Sequence, residues 1–166
     1  MRTLAIDPGT RRIGLAMSDE GGQWASPLEV LMVTDPDQAI EPILKLIAKE
    51  AVVRVVIGLP LNMDDSVGPQ ARSVVAWANK LQTSLHAARG TQHAPKIVFV
   101  DERLSSFVAE QRLIDVKRAG GKMTRKVKKQ SLDAVAAAGI LQSFLDGKLL
   151  AIEVPSFHST TPNDAG

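Results

Sequence analysis

Residues 52–58, VVRVVIG, leave a folding chain few options. Apart from Arg54 the stretch is apolar or glycine, and it is β-branched at positions that would alternate between the two faces of a strand. A strand apolar on both faces needs cover on both, and such strands lie inside sheets with helices on either side. KIVFV at 96–100 has the same character. Between the two, Pro69 can open a helix running to about Ala88, with Ala71, Val74, Val75, Ala78, Leu81 and Leu85 on one side. Strand, helix, strand in that order predicts a parallel pair with a right-handed crossover.

The remaining elements fit the same plan. TLAID and IGLAMS read as two strands joined by a short Pro-Gly turn, hence an antiparallel pair, and a third strand is expected from about Trp24-Ala25 to Val30–Val33. Asp35 and Pro36 supply a cap and first position for a helix reaching Glu50, although Pro42 either kinks that helix or moves its start to about Glu41. Ser105 or Ser106 is expected to cap a helix with the stripe Phe107, Val108, Leu113 and Ile114. Ser131 is expected to cap a last, alanine-rich helix ended by Gly147. The expected product is an α/β domain, a mixed sheet flanked by helices, over residues 1–154. Residues 155–166, PSFHSTTPNDAG, lack periodicity and are expected to be a disordered tail.

Composition narrows the function. The 166 residues, 45% of them apolar, suffice for one core. No cysteine is present, so disulfides and thiolate metal sites are excluded. No apolar run approaches the ~18 residues of a membrane span and the N-terminus enters a strand directly, so a soluble cytoplasmic protein with no membrane partner is expected. Charge is uneven: residues 117–129, KRAGGKMTRKVKK, hold seven of the 20 basic residues and no acid, leaving 13 bases against 18 acids elsewhere. That run, a glycine-interrupted loop in this reading, suits contact with a phosphate backbone. No G-x-G-x-x-G follows the first strand and no G-x-x-x-x-G-K-[ST] occurs, so the common nucleotide-binding α/β folds are disfavoured.

Three acids stand out. Asp7 closes the first strand, Glu102 closes the VFVDE strand, and Asp133 falls in the expected first turn of the last helix. Ligands of open α/β sheets gather at the carboxyl ends of strands. Three carboxylates brought together there repel one another unless a cation or a raised pKa relieves them, and an all-oxygen set suits Mg²⁺ or Mn²⁺. His86, His93 and His158 have no partner spacing.

The stretches LAIDPGTRRIGLAMSD, VIGLPLNMDDSVGPQA, VDERLSS and SLDAVAAAGIL, in this order over roughly residues 3–146, together resemble the RuvX/YqgF family. Its members are described as Holliday-junction-resolvase-like proteins or pre-16S rRNA nucleases. The resemblance implies a ribonuclease H-like fold with a mixed five-stranded sheet. It implies metal-binding acids at Asp7, Glu102 and Asp133, an arginine of a D-E-R motif at Arg103, and its neighbouring acid at Asp101. Position 65 is Asp where the family pattern GLPLNMDG has Gly, and Pro8 also departs from the pattern.

The implied reaction is phosphodiester hydrolysis assisted by two Mg²⁺ or Mn²⁺ ions, with Asp7 bridging them and Glu102 and Asp133 completing the ligands. Arg103 is expected on the scissile or an adjacent phosphate, with an ion pair to Asp101 as its structural alternative. Arg11 and Arg12 are expected on flanking phosphates, and Lys122, Arg125, Lys126, Lys128 and Lys129 on the strand without reading bases. The partner is nucleic acid: pre-16S rRNA, or branched DNA if the protein resolves junctions, acting as monomer or homodimer. A weakly active nucleic-acid-binding module is a further possibility. The actin-like sugar kinases and ATPases share the strand-Asp-turn-strand opening, but they enclose nucleotide between two such domains and this chain has room for one.

Overall fold

The computed structural model describes residues 1–104 and 125–153, with side chains described for 1–103 and 132–153. Five strands form one mixed sheet: β1 (Arg2–Pro8), β2 (Arg12–Ser18), β3 (Ala25–Met32), β4 (Val52–Leu59) and β5 (Lys96–Asp101), in the order β3-β2-β1-β4-β5. β1 pairs antiparallel with β2, and β2 with β3, while β1–β4 and β4–β5 are parallel. The expected ribonuclease H-like sheet is therefore present, with a hairpin meander on one side and parallel crossovers on the other. After Leu149 the chain returns along β5, where the Ile152 backbone N–H donates to Phe99 O at 2.8 Å.

The two faces carry different side chains, and the difference sets how closely each helix approaches. One face presents Leu4, Ile6, Ile13, Leu15, Met17, Val55, Ile57 and Leu59 to α1 (Ile40–Lys49) and α2 (Pro69–Arg89). Bulky residues there keep those helices at ordinary packing distance and supply most of the buried apolar surface, at roughly 25 cal/mol per Å². The other face presents Ala5, Ala16 and Val56 to α3 (Arg125–Leu145), whose own inner residues include Ala134, Ala137 and Ala138. Small against small brings α3 down onto β1, β2 and β3. Gln142 fixes it laterally: its Oε1 accepts from Ala25 N at 2.9 Å, and its Nε2 donates to Gln23 O at 3.0 Å.

Several local expectations change. Asp35 does cap, with Gln38 completing a capping box, but what it caps is a 3-10 turn, Pro36–Ala39, from which α1 continues. Pro42 consequently occupies the first turn of α1, where its missing N–H would have had no partner, and it needs no kink. β5 ends at Asp101, and Glu102 opens a 3-10 turn, Glu102–Leu104. Ser131 is not a cap. α3 starts six residues earlier, at Arg125, because RKVKKQ consists mainly of good helix formers and nothing in it stops a helix. Residues 125–129 of the basic run are thus helical rather than loop, and Asp133 lies in the third turn. The helix expected after Ser105–Ser106, with Phe107, Val108, Leu113 and Ile114, lies outside the described residues, as do Lys122 and the tail 155–166.

Candidate functional site

The site is built on one level of the sheet, where β1 ends. Asp7 pairs in register with Gly14 of β2, and on its other side β4 reaches Gly58, the residue after the Ile6–Ile57 pair. Register partners point to the same face, so Asp7 stands on the α3 side with a glycine beside it on each neighbouring strand. Neither glycine is incidental. A methyl group on Gly14 would come within 2.1 Å of the Asp133 carbonyl oxygen, and one on Gly58 within 2.9 Å of Ile140 and 3.3 Å of the Glu102 side chain. The missing side chains let the α3 backbone carry Asp133 against β2 and let Glu102 fold over β4. Glycine inside a strand pattern signals close approach. That signal is present in the sequence, in IGLAMS and VVIGL.

The geometry shows in the electrostatics. Burial pushes the Asp7 carboxyl up to about 6, with the Asp133 charge adding to the rise. Burial likewise pushes Glu102 up to about 7, with Asp7 and then Asp101 contributing. Asp7 is therefore the central acid, coupled to Asp133 on one side and Glu102 on the other. Hard carboxylate oxygens, partly buried and mutually repelling, are the donor set that a divalent cation neutralises. Among the described residues no three such side chains yet close on a single point. Asp133 is engaged elsewhere: its Oδ2 lies 2.7 Å from Nε of Arg12, the first residue of β2. Both atoms are buried and out of line for a hydrogen bond, so the contact is an ion pair without directional bonding. By charge and donor type the residues fit a cation, with one oxygen of the third acid already held by an arginine.

The expected phosphate-binding arginines are thus distributed differently. Arg12 faces Asp133. Arg11 is exposed at the tip of the β1–β2 turn, its backbone oxygen accepting from Val33 N at 3.0 Å. Arg103 is engaged by other acids: Nε donates to Asp101 Oδ1 and Oδ2 at 2.9 and 3.0 Å, and Nη2 donates to Asp101 Oδ2 and Asp65 Oδ1, each at 2.5 Å. Its Nη1 donates to Asn62 O at 2.7 Å, so the structural alternative, the pair with Asp101, is the arrangement found. Arg103 holds the Asp101 carboxyl well below the usual range, and its own pKa is raised in return. Asn62 closes its own turn, donating from Nδ2 to Ser66 Oγ at 2.9 Å. Arg125, Lys126, Lys128 and Lys129 lie in the first turns of α3, the helix that carries Asp133.

A family model named RuvX, described as a Holliday junction resolvase, matches residues 1–147. The chain belongs to the RuvX family. Among its RuvX relatives, the "Putative pre-16S rRNA nuclease" of Chloroflexus aurantiacus is 40% identical over 145 residues, 87% of this chain and 86% of the relative. Proteins of the same name from Opitutus terrae and Bacillus mycoides are 41% and 36% identical, covering 88% and 89% of this chain and 92% and 100% of theirs. Among solved structures, Thermus thermophilus RuvC in complex with a Holliday junction substrate superposes with a TM-score of 0.55 at 14% identity, over 92% of this chain and 99% of that one. At that identity the likeness concerns the fold, and it confirms the ribonuclease H-like architecture of this RuvX chain.

Proposed function

We propose that this RuvX-family nuclease hydrolyses phosphodiester bonds with the help of divalent metal, two Mg²⁺ or Mn²⁺ ions, and that its substrate is the 5′ region of pre-16S rRNA. The observation that carries the reading is the electrostatic coupling of Asp7, near the end of β1, to Asp133 on one side and to Glu102 on the other. The relatives' shared name supports the rRNA substrate. The absence, among the described residues, of any helix able to cross a membrane is compatible with work in the cytoplasm.

In this reading Asp7, Glu102 and Asp133 hold the ions. Bound there, a divalent ion supplies an attacking water of lowered pKa and neutralises charge on the leaving oxygen. The protein contributes the rest. Burial of Asp7 at the foot of α3 strengthens every electrostatic interaction in the site. With no cation bound, burial and then Asp7 and Asp101 push Glu102 up to about 7, so taking up a cation there would release protons. Arg12, paired with Asp133 in the free protein, is the residue proposed to meet a flanking phosphate, with Arg11 beside it. Lys122, Arg125, Lys126, Lys128 and Lys129 position the strand through its backbone.

The family model's description favours branched DNA as the second reading. One assay addresses both: cleavage of a pre-16S 5′ leader RNA, unrelated single-stranded RNA and a four-way DNA junction, each with Mn²⁺ or Mg²⁺ and with chelator. We expect metal-dependent cutting of the leader RNA, and loss of all cutting in Asp7→Asn with binding retained, since that swap keeps shape and removes charge. Equal rates in wild type and Asp7→Asn would refute the assignment of the acids. Preference for the junction would replace RNA by DNA as the substrate.

A further inference from the structure

Asp65 is oddly placed for a residue whose only business is a turn. Its φ is 65°, a left-handed backbone that glycine adopts freely and that an aspartate adopts with some strain. Its side chain is 80% exposed, and its one ion pair is to Arg103. Ion pairs open to solvent contribute little to stability. The contact therefore offsets the backbone cost at best, and stability does not account for an aspartate here.

Nor does the loop need the contact. Asn62 N donates to Ser66 O and Asp65 N to Asn62 O, both at 3.0 Å, and Asp64 Oδ1 accepts from Ser66 N and Oγ. Arg103 is independently oriented by Asp101, through Nε, Nη2 and its backbone N–H. What Asp65 alone does is place an anion on the outer edge of that guanidinium, the edge that planar recognition of a phosphate would use. Arg103 immediately follows Glu102 in the chain, in the 3-10 turn at the end of β5.

We propose that Asp65 is an internal stand-in for a backbone phosphate at Arg103. With Asp65 in place, Arg103, Asp101 and Asp65 carry one net negative charge, and a nucleic-acid strand leaving the site is repelled there. With Asp65 displaced, the Arg103–Asp101 pair left behind is neutral, and the Nη2 hydrogen that Asp65 held donates to a phosphate oxygen. Asp65 is thus a residue that weakens and selects binding, so that strands are retained only where the neighbouring contacts compensate. The inference rests on the nuclease reading above.

The test measures binding of a labelled single-stranded RNA in chelator, across a range of salt, by wild type, Asp65→Asn, Asp65→Gly and Arg103→Gln, and by Asp65→Asn combined with Arg103→Gln. Both Asp65 variants are expected to bind several-fold more tightly. Their log K against log salt should be steeper by about 0.7, the slope of one added phosphate contact on a single strand. In the Arg103→Gln background the gain should vanish, which separates a specific contact from the mere loss of a surface acid. Asp64→Asn, the same charge change one residue away, should not reproduce it, and this comparison stands even if Arg103→Gln folds poorly. Unchanged slopes, a gain that survives Arg103→Gln, or an equal gain from Asp64→Asn would each overturn the proposal. Failure of the wild type to bind or cut any nucleic acid would instead overturn the nuclease reading.

Discussion

Asp7 shows how one residue's chemistry is made by its neighbours. Closing β1, it would titrate near 4 in an unfolded chain; partly buried beside Asp133 it titrates at about 6. The folded protein therefore binds more protons than the unfolded chain between those values. Stability contributed by the neutral carboxyl is full below about pH 4 and is lost as pH rises through about 6. The shift of about two units corresponds to roughly 3 kcal/mol at most, and coupling to Glu102 extends the loss toward pH 7. In chelator, denaturant unfolding of wild type at pH 5 and pH 8 should show this fall, and Asp7→Asn, which mimics the neutral form, should show a smaller one. The comparison cancels pH effects common to both proteins. An identical pH dependence would mean that Asp7 is not held in a charge-averse setting. Position and residue type at Asp7 were legible in LAIDPGT, and so was an upward pKa for crowded acids; the burial that contributes most to the rise was not, because packing of elements distant in sequence sets it.

At the scale of elements, the contact of α3 with β2 decides whether a site exists. Gly14→Ala forces a methyl group into the Asp133 carbonyl, a backbone atom that no rotamer change can move aside. Overpacking of this kind costs about 1–3 kcal/mol, and more when backbone must shift. We expect a melting temperature lowered by about 5 °C or more, together with lost nuclease activity as Asp133 is displaced from Asp7. Wild-type melting in Gly14→Ala would show that α3 rides higher on the sheet than described. The start of α3 matters separately. Because Arg125–Lys129 are helical, their spacing is fixed relative to Asp133, which suits them to place a strand at a set distance from the acids. Replacing Lys122, Arg125, Lys126, Lys128 and Lys129 by alanine should weaken binding to unrelated sequences alike. It should also lower the salt slope by up to ~0.7 per lost contact on single strands. An unchanged slope would leave the run a solvated surface. Reading Ser131 as a cap erred in a physical way: a capping residue marks a start only where the preceding residues disfavour helix, and RKVKKQ does not.

For the whole molecule, the five strands, α1, α2, α3 and the return along β5 account for the described core without residues 155–166. Truncation after Val154 should leave melting and cleavage as in wild type. A fall of more than about 4 °C, over 1 kcal/mol for a chain this size, would show that the tail packs. What the sequence determined by itself was whatever depends on local pattern. The doubly apolar runs at 52–58 and 96–100 required a sheet covered on both faces, the Pro-Gly turn after Asp7 required a hairpin, and short-range spacing placed α2 almost to the residue. Four motifs in order carried the family as well. Tertiary structure alone decided which side chains share charge. Arg12 faces Asp133 because β2 lies beneath α3, and Arg103 serves Asp101 and Asp65 because β5 ends beside the loop after β4. Periodicity reports which face of an element is buried. It carries no information about which distant carboxylate an arginine meets, since that depends on strand order and on the clearance left by Gly14 and Gly58.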